Sequence, residues 1–196
     1  MKANPRYAHF QRVIEAHRGD WLQPWAGDSW RFQDIDFPSG PEILNGEGAR
    51  INGGRWNVRG SFPAVYGSIQ EETALQESGA HAKRYGLVIR KPRLFVAIHL
   101  DLRHVLDLRR ANVRRALGVT LNQLRSEDWA KLQDAGTESL SQALGRAAHD
   151  LGVEAIIVPS FAEAGGSNVV YFPRKRDAAS AVTIWDDAKL PGKKAP

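Results

Sequence analysis

The chain has 196 residues, none of them Cys, with 42% hydrophobic and 25% charged residues. That is ordinary globular composition, enough for one domain that buries about 70% of its unfolded surface, and it excludes a disulfide framework, a thiolate nucleophile and a zinc–thiolate centre. The formal charge of +5, from 27 Lys plus Arg against 22 Asp plus Glu, favours an anionic partner: nucleic acid, a phosphate-bearing small molecule or an acidic protein.

The first residues are polar and basic without the apolar core of a signal peptide, and no run reaches the ~18 apolar residues of a membrane span. A soluble cytoplasmic protein with no membrane partner is expected. Residues 6–17 set Phe10, Val13 and Ile14 at helical spacing. From Gly19 to Gly60 periodicity fails: Gly, Pro, Asp and Asn are frequent, and DSWRF is the one clear strand. So long an irregular stretch in a compact domain is as a rule either functional or misread. Trp21, Trp25, Trp30 and Trp56 fall in this first third, where flat rings serve a pocket or simple packing. Pro63 precedes a short strand, AVYG, and Ser68-Ile-Gln-Glu71 fits a capping box opening a helix that runs to about Tyr85.

RLFVAIHL and HVLDL read as two strands, which would put His99 and His104 on neighbours. Helical segments follow over 109–117, 121–132 and 138–151, the second opened by a Thr120-x-x-Gln123 box. VEAIIVP is short, apolar and stopped by Pro159, as expected of a fully buried strand, and SNVVYF and SAVTIW give two more. Strand runs mixed with helix runs, without regular βαβ alternation, predict a single α+β domain with a mixed or largely antiparallel sheet.

Familiar nucleotide signatures are missing: there is no GxxxxGK[ST] and no GxGxxG between strand and helix. HExxH and GxSxG are missing too, and the six His lack metal-ligand spacing, so no metal is expected. The dense stretch is residues 46–77. Gly46, Gly48, Gly53, Gly54 and Gly60 permit close backbone approach, and Arg50, Arg55 and Arg59 are interleaved with them. Guanidinium groups bind phosphates bidentately at any relevant pH, so the pattern suits a pyrophosphate as well as it suits a solvated loop. Tyr66 follows in the strand. Glu77 shares a helix face with Thr73 and Ala80, small neighbours that let a carboxylate turn toward a pocket.

The run GARINGGRWNVRG, followed by AVYG and a helix containing ALQE, resembles the RES domain, a family of bacterial toxins of toxin–antitoxin pairs. On this resemblance residues 1–28 form an N-terminal helix and irregular lead-in, 29–186 the RES domain and 187–196 a frayed basic tail. The family motif places its early Arg on Arg31, its central Arg on Arg55, its Tyr on Tyr66 and its Glu on Glu77. Its Ser falls on Ser139, with Ser160 as second choice. Phe32 stands where some relatives carry Tyr, which removes a hydroxyl but keeps a ring for stacking.

The resemblance implies a fold like that of ADP-ribosylating toxins and NAD+ as substrate. Glu77 would steady the oxocarbenium-like ribose as nicotinamide leaves, and Arg31 and Arg55 would anchor the pyrophosphate. Tyr66 would stack on or hydrogen-bond to the nicotinamide ribose, Phe32 would offer a ring for stacking, and Ser139 would bond a phosphate or amide. The ADP-ribose acceptor is left open between a protein side chain, phosphate and water. The implied partner is a cognate antitoxin, DNA-binding and Xre-like, with no direct contact of the toxin itself to nucleic acid. The competing reading is a basic RNA-cleaving or nucleic-acid-binding toxin, resting on the charge, the RHVLDLRRANVRR segment and the six His.

Overall fold

A computed structural model describes residues 1–84 and 92–191. The elements run α1 (Tyr7–Ala16), α2 (Arg18–Trp21), β1 (Leu22–Asp34), α3 (Gly40–Leu44), α4 (Glu47–Asn52), β2 (Val65–Ser68) and α5 (Glu71–Arg84). Then follow β3 (Arg93–Asp107), α6 (Ala111–Ala116), α7 (Leu121–Ser126), α8 (Trp129–Asp134), α9 (Leu140–Asp150), β4 (Ala155–Pro159), β5 (Ser167–Tyr171) and β6 (Ala181–Ile184).

The sheet order is β1-β2-β5-β4-β3, and β1 pairs back onto β3, so five strands close into a barrel-like ring. Strand β6 adds to β3 alongside β4. Every pairing is antiparallel except β3 with β4. The chain is thus one mixed α+β domain in which closure gives each of the five ring strands neighbours on both sides and leaves β6 as the edge strand.

Side-chain alternation gives the sheet two faces. One packs Val65, Val96, Ile98, Leu100, Ala155, Ile157 and Val169 around Ile43 of α3. The other packs Leu106, Ile156, Val158 and Val170 against Phe10 and Ile14 of α1 and Ala143, Leu144 and Ala147 of α9. The first helix therefore belongs to the main core. Among the described residues no helix is long and apolar enough to cross a membrane.

Several expectations need correction. The stretch from Gly19 to Gly60 is irregular only in part. Residues 53–60 are turns, but it also holds α3, α4 and most of α2, which the sequence did not signal, and β1 is a 13-residue strand reaching beyond DSWRF at both ends. Pro24, Gly27 and a register shift between Gln23 and Trp25 break its alternation, and pairing to β3 overrides that local signal. RLFVAIHL and HVLDL are a single 15-residue strand, so His99 and His104 lie on one strand. The expected helix over 121–132 is two helices, separated where Glu127 turns extended (ψ 122°) and Asp128 caps the second through the Lys131 N–H. The Ser68 hydroxyl bonds Asn168. The boxes at Thr120 and Ser139 form with Gln123 and Gln142. Tyr85 and the end of the basic tail lie outside the described residues.

Candidate active site

The glycine–arginine stretch is held by packing from behind. Gly53 has φ +76°, the left-handed region glycine tolerates, and a Cβ on Gly54 would stand 2.5 Å from the Tyr66 hydroxyl. That hydroxyl accepts the Trp56 N–H (2.9 Å) and donates to Asn57 Oδ1 (2.8 Å). Burial pushes its pKa well up, so it remains a neutral donor. Gln142 of α9 donates to the Gly54 carbonyl (3.0 Å), and Trp56 is buried in the core. The turn is thereby fixed on both sides of Arg55.

Arg55 Nη1 donates to the Leu124 carbonyl at the end of α7 (2.5 Å), and its guanidinium lies 4.8 Å over the Phe161 ring. Arg125 approaches the same ring at 5.9 Å. The other loop arginines are engaged by carboxylates, Arg50 with Glu47 (2.5 Å) and Arg59 with Asp134 (3.2 Å). They therefore brace the loop's surface, and Arg55 is the one aimed across at the β4–β5 loop.

Glu77 is half-buried on α5, which packs on β1 and β2. Its Oε1 accepts the Ser160 hydroxyl (2.7 Å) and the Asn168 amide (2.6 Å), while Oε2 has no hydrogen-bond partner among the described residues. Ser160 in turn accepts the N–H groups of Ala162 and Glu163 (3.2 and 3.1 Å), a tight turn that fixes its hydroxyl and presents Phe161. One loop thus links the two strongest candidates: Ser160 holds Glu77, and its neighbour Phe161 lies beneath Arg55.

The other expected residues are placed differently. Arg31 stands opposite Val96 in the β1–β3 register, on the face around Ile43, and Nη1 approaches the Ile43 carbonyl at 3.5 Å. Its Nε is buried without a partner, and desolvation pushes the guanidinium pKa down to about 10. Phe32, the next residue, points to the opposite face. There it touches Phe95 (4.8 Å) and lies under Arg93, whose guanidinium also bonds Ser78 beside Glu77. Arg31 and Phe32 therefore serve different surfaces, and no described contact joins Arg31 to the Glu77 cluster. Ser139 is fully buried as the N-cap of α9, its hydroxyl accepting the Gln142 N–H (3.1 Å). It braces the Arg55 turn through Gln142, whereas Ser160, the second choice, is the serine that meets the acid.

Sequence reasoning missed Asn168, Phe161 and Arg125. Asn168 stands 91 positions from Glu77, and nothing local signals the pairing. An open groove of about 540 Å³ runs elsewhere, past Trp30, Phe95, Trp185 and Lys189, and none of Arg31, Phe32, Arg55, Tyr66 and Glu77 lines it. No cluster of three or more His, Asp or Glu among the described residues is placed to hold a metal.

Comparison with known proteins decides the family. The RES domain family model matches residues 28–191, most of the chain. The chain belongs to the RES domain family. The NAD(+) phosphorylase MbcT of Mycobacterium tuberculosis, and that of Mycobacterium bovis, are 33% identical to it over 158 residues, which span 77% of this chain and 71% of each relative. The crystal structure of the M. tuberculosis MbcT–MbcA toxin–antitoxin complex matches with a TM-score of 0.66, covering 91% of this RES chain and 93% of that one. At 24% identity the structural match speaks to the fold: the closed mixed sheet with its flanking helices is shared.

Proposed function

We propose that this RES domain cleaves the nicotinamide–ribose bond of NAD+ and passes ADP-ribose to an acceptor, acting as a growth-arresting toxin that a cognate antitoxin restrains. The observation that carries the reading is the geometry of Glu77: a half-buried carboxylate, pinned through one oxygen, with the other unpartnered among the described residues. The name of the mycobacterial relatives supports NAD+ as substrate and favours inorganic phosphate over a protein side chain or water as acceptor. The structural match, itself a toxin–antitoxin complex, supports an antitoxin partner, which we take to be a DNA-binding, Xre-like protein of the same cytoplasm. We read the sheet as akin to that of ADP-ribosylating toxins, which place a carboxylate by the nicotinamide ribose.

In the proposed reaction Glu77 Oε2 accepts a ribose hydroxyl and faces the positive charge that develops as the C1″–N bond lengthens. A fixed anion there stabilises the oxocarbenium-like state without reorganisation. The bonding pair leaves with nicotinamide, which departs neutral. An oxygen of the acceptor forms the new bond to C1″; with phosphate the product is ADP-ribose-1″-phosphate and one proton is released. Arg55 supplies bidentate hold on the pyrophosphate, which turns binding into orientation. Arg31, buried with an unsatisfied Nε, is the second candidate anchor. Tyr66 acts by fixing the turn that carries Arg55. Two of the histidines behind the RNA-cleaving alternative are engaged within the fold: His99 is tied to Asp28 (2.8 Å) and His149 is stacked on Phe62 (3.9 Å).

The test is incubation of the purified chain with NAD+, with and without phosphate, following nicotinamide and the ADP-ribose product by chromatography. Phosphate-dependent nicotinamide release is expected, and Glu77→Gln should lower it about a thousandfold with an unchanged melting temperature. Full activity of that variant removes the carboxylate from the chemistry, and RNA degradation without NAD+ turnover favours the alternative.

A further inference from the structure

We propose that Asn168, aimed by Ser68, is a positioning residue that sets the Glu77 carboxylate for reaction; the inference rests on the NAD+ reading above and extends it to two residues that reading does not use. Ser68 and Asn168 face each other in the β2–β5 register, and Ser68 also stands opposite Trp30 of β1. Both side chains therefore rise from the middle of a hydrogen-bonded sheet, and Ser68 is buried. Backbone pairing on both flanks makes this a rigid support.

The direction of each hydrogen bond follows from chemistry. An ionised carboxylate only accepts, so the Asn168 group 2.6 Å from Glu77 Oε1 must be the amide nitrogen. The amide oxygen then faces Ser68, and the Ser68 hydroxyl must donate to it (2.8 Å). The chain Ser68 Oγ–H to Asn168 Oδ1, then Asn168 Nδ2–H to Glu77 Oε1, admits a single orientation. A flipped amide would set oxygen against oxygen at the acid. Ser68 thus holds the amide the right way round, and the amide holds the acid.

Asn168 and Ser160 converge on Oε1 from different elements, β5 and the β4–β5 loop. Two donors on one oxygen fix the carboxylate plane of a long side chain and direct Oε2 away from them. With Asn168 gone, Ser160 remains as a single pivot about which the carboxylate can turn. Binding energy for NAD+ comes from other groups, so the loss falls on the rate of the chemical step.

The experiment compares wild type, Ser68→Ala, Asn168→Ala and the double variant of the full chain in nicotinamide release, with kcat and KM for NAD+ and a thermal melt for each. Asn168→Ala is expected to lower kcat about tenfold, the cost of one hydrogen bond to a charged group, with KM for NAD+ within about twofold of wild type. Ser68→Ala should lower kcat by a smaller factor, and the double variant should match Asn168→Ala alone, because Ser68 acts only through Asn168. Unchanged kcat in Asn168→Ala, a loss confined to KM, or single effects that multiply in the double variant would each overturn the inference. If Asn168→Ala melts early, Asn168→Ser and Ser68→Ala carry the same kcat-against-KM comparison on a folded chain. Glu77→Gln separates the two claims: inactive Glu77→Gln beside a fully active Asn168→Ala sinks the positioning role alone, and an active Glu77→Gln sinks both.

Discussion

Tyr66 shows how a residue of the motif can be engaged by the fold itself. Its hydroxyl satisfies the Trp56 N–H and Asn57 Oδ1, and Phe in its place leaves both without that partner. Tyr66→Phe should therefore cost about 1–3 kcal/mol in urea unfolding and raise KM for NAD+ as the Arg55 turn loosens. The resemblance singles out Arg55, Tyr66 and Glu77 because they fall within one short run, and the structure sets Tyr66 behind the Arg55 turn and joins Glu77 to the Phe161 loop through Ser160. The sequence favours Ser139 over Ser160, and the fold reverses the order: Ser139 is spent on a helix cap while Ser160 meets the acid, a long-range contact that no local segment signals. His149 carries a different consequence. Desolvation pushes its imidazole below the ordinary value, with Asp150 only partly offsetting. The unfolded chain thus takes up the proton first, so the stabilisation is full above about pH 6.5 and is lost as pH falls toward and through the lower folded value. The urea midpoint should drop from pH 7 to pH 5, and His149→Phe should flatten that drop.

At the scale of elements, the decisive contact is between α9 and the Arg55 turn. Gly145, inside the helix, faces the Trp56 carbonyl, and a Cβ there would stand 2.0 Å from that oxygen. Ala in a helix is ordinarily favoured over Gly by about 1 kcal/mol. Here Gly145→Ala should instead destabilise by about 1–3 kcal/mol, since backbone must move apart, and urea titration reads the sign directly. Helices α1 and α9 were legible because their apolar spacing, and in α7 and α9 the cap, are local; the four- to six-residue α2, α3 and α4 are too short to show a period and were missed. The strands were legible where a short apolar run has clear stops, as in β4 and β5. In β1 Pro24 and Gly27 break the pattern, and opposite Gln23–Trp25 it is β3 that carries the extra residue, its inward positions passing from Leu102 to Val105, a phase change that reads as two strands. Long-range pairing decides such segments, and no window of sequence contains it.

At the scale of the molecule, the N-terminal helix is integral. Phe10 and Ile14 are fully buried, and Lys2 and Asn4 are tied to Gly136 and Glu138. Each buried apolar side chain contributes about 1.5–3 kcal/mol, a large share of the about 5–15 kcal/mol that holds a typical domain. A variant lacking residues 1–17 should lose its cooperative thermal transition by circular dichroism, although the family match starts only at residue 28.

Glu77 takes its hydrogen bonds from residues 83 and 91 positions downstream. A nascent polypeptide that has emerged only as far as α9 therefore carries the acid and the arginine turn but nothing to set the acid in place. On the proposed reaction, the cell synthesising this protein is spared its activity throughout most of translation, and the interval in which an antitoxin must find its target opens only when β5 leaves the ribosome.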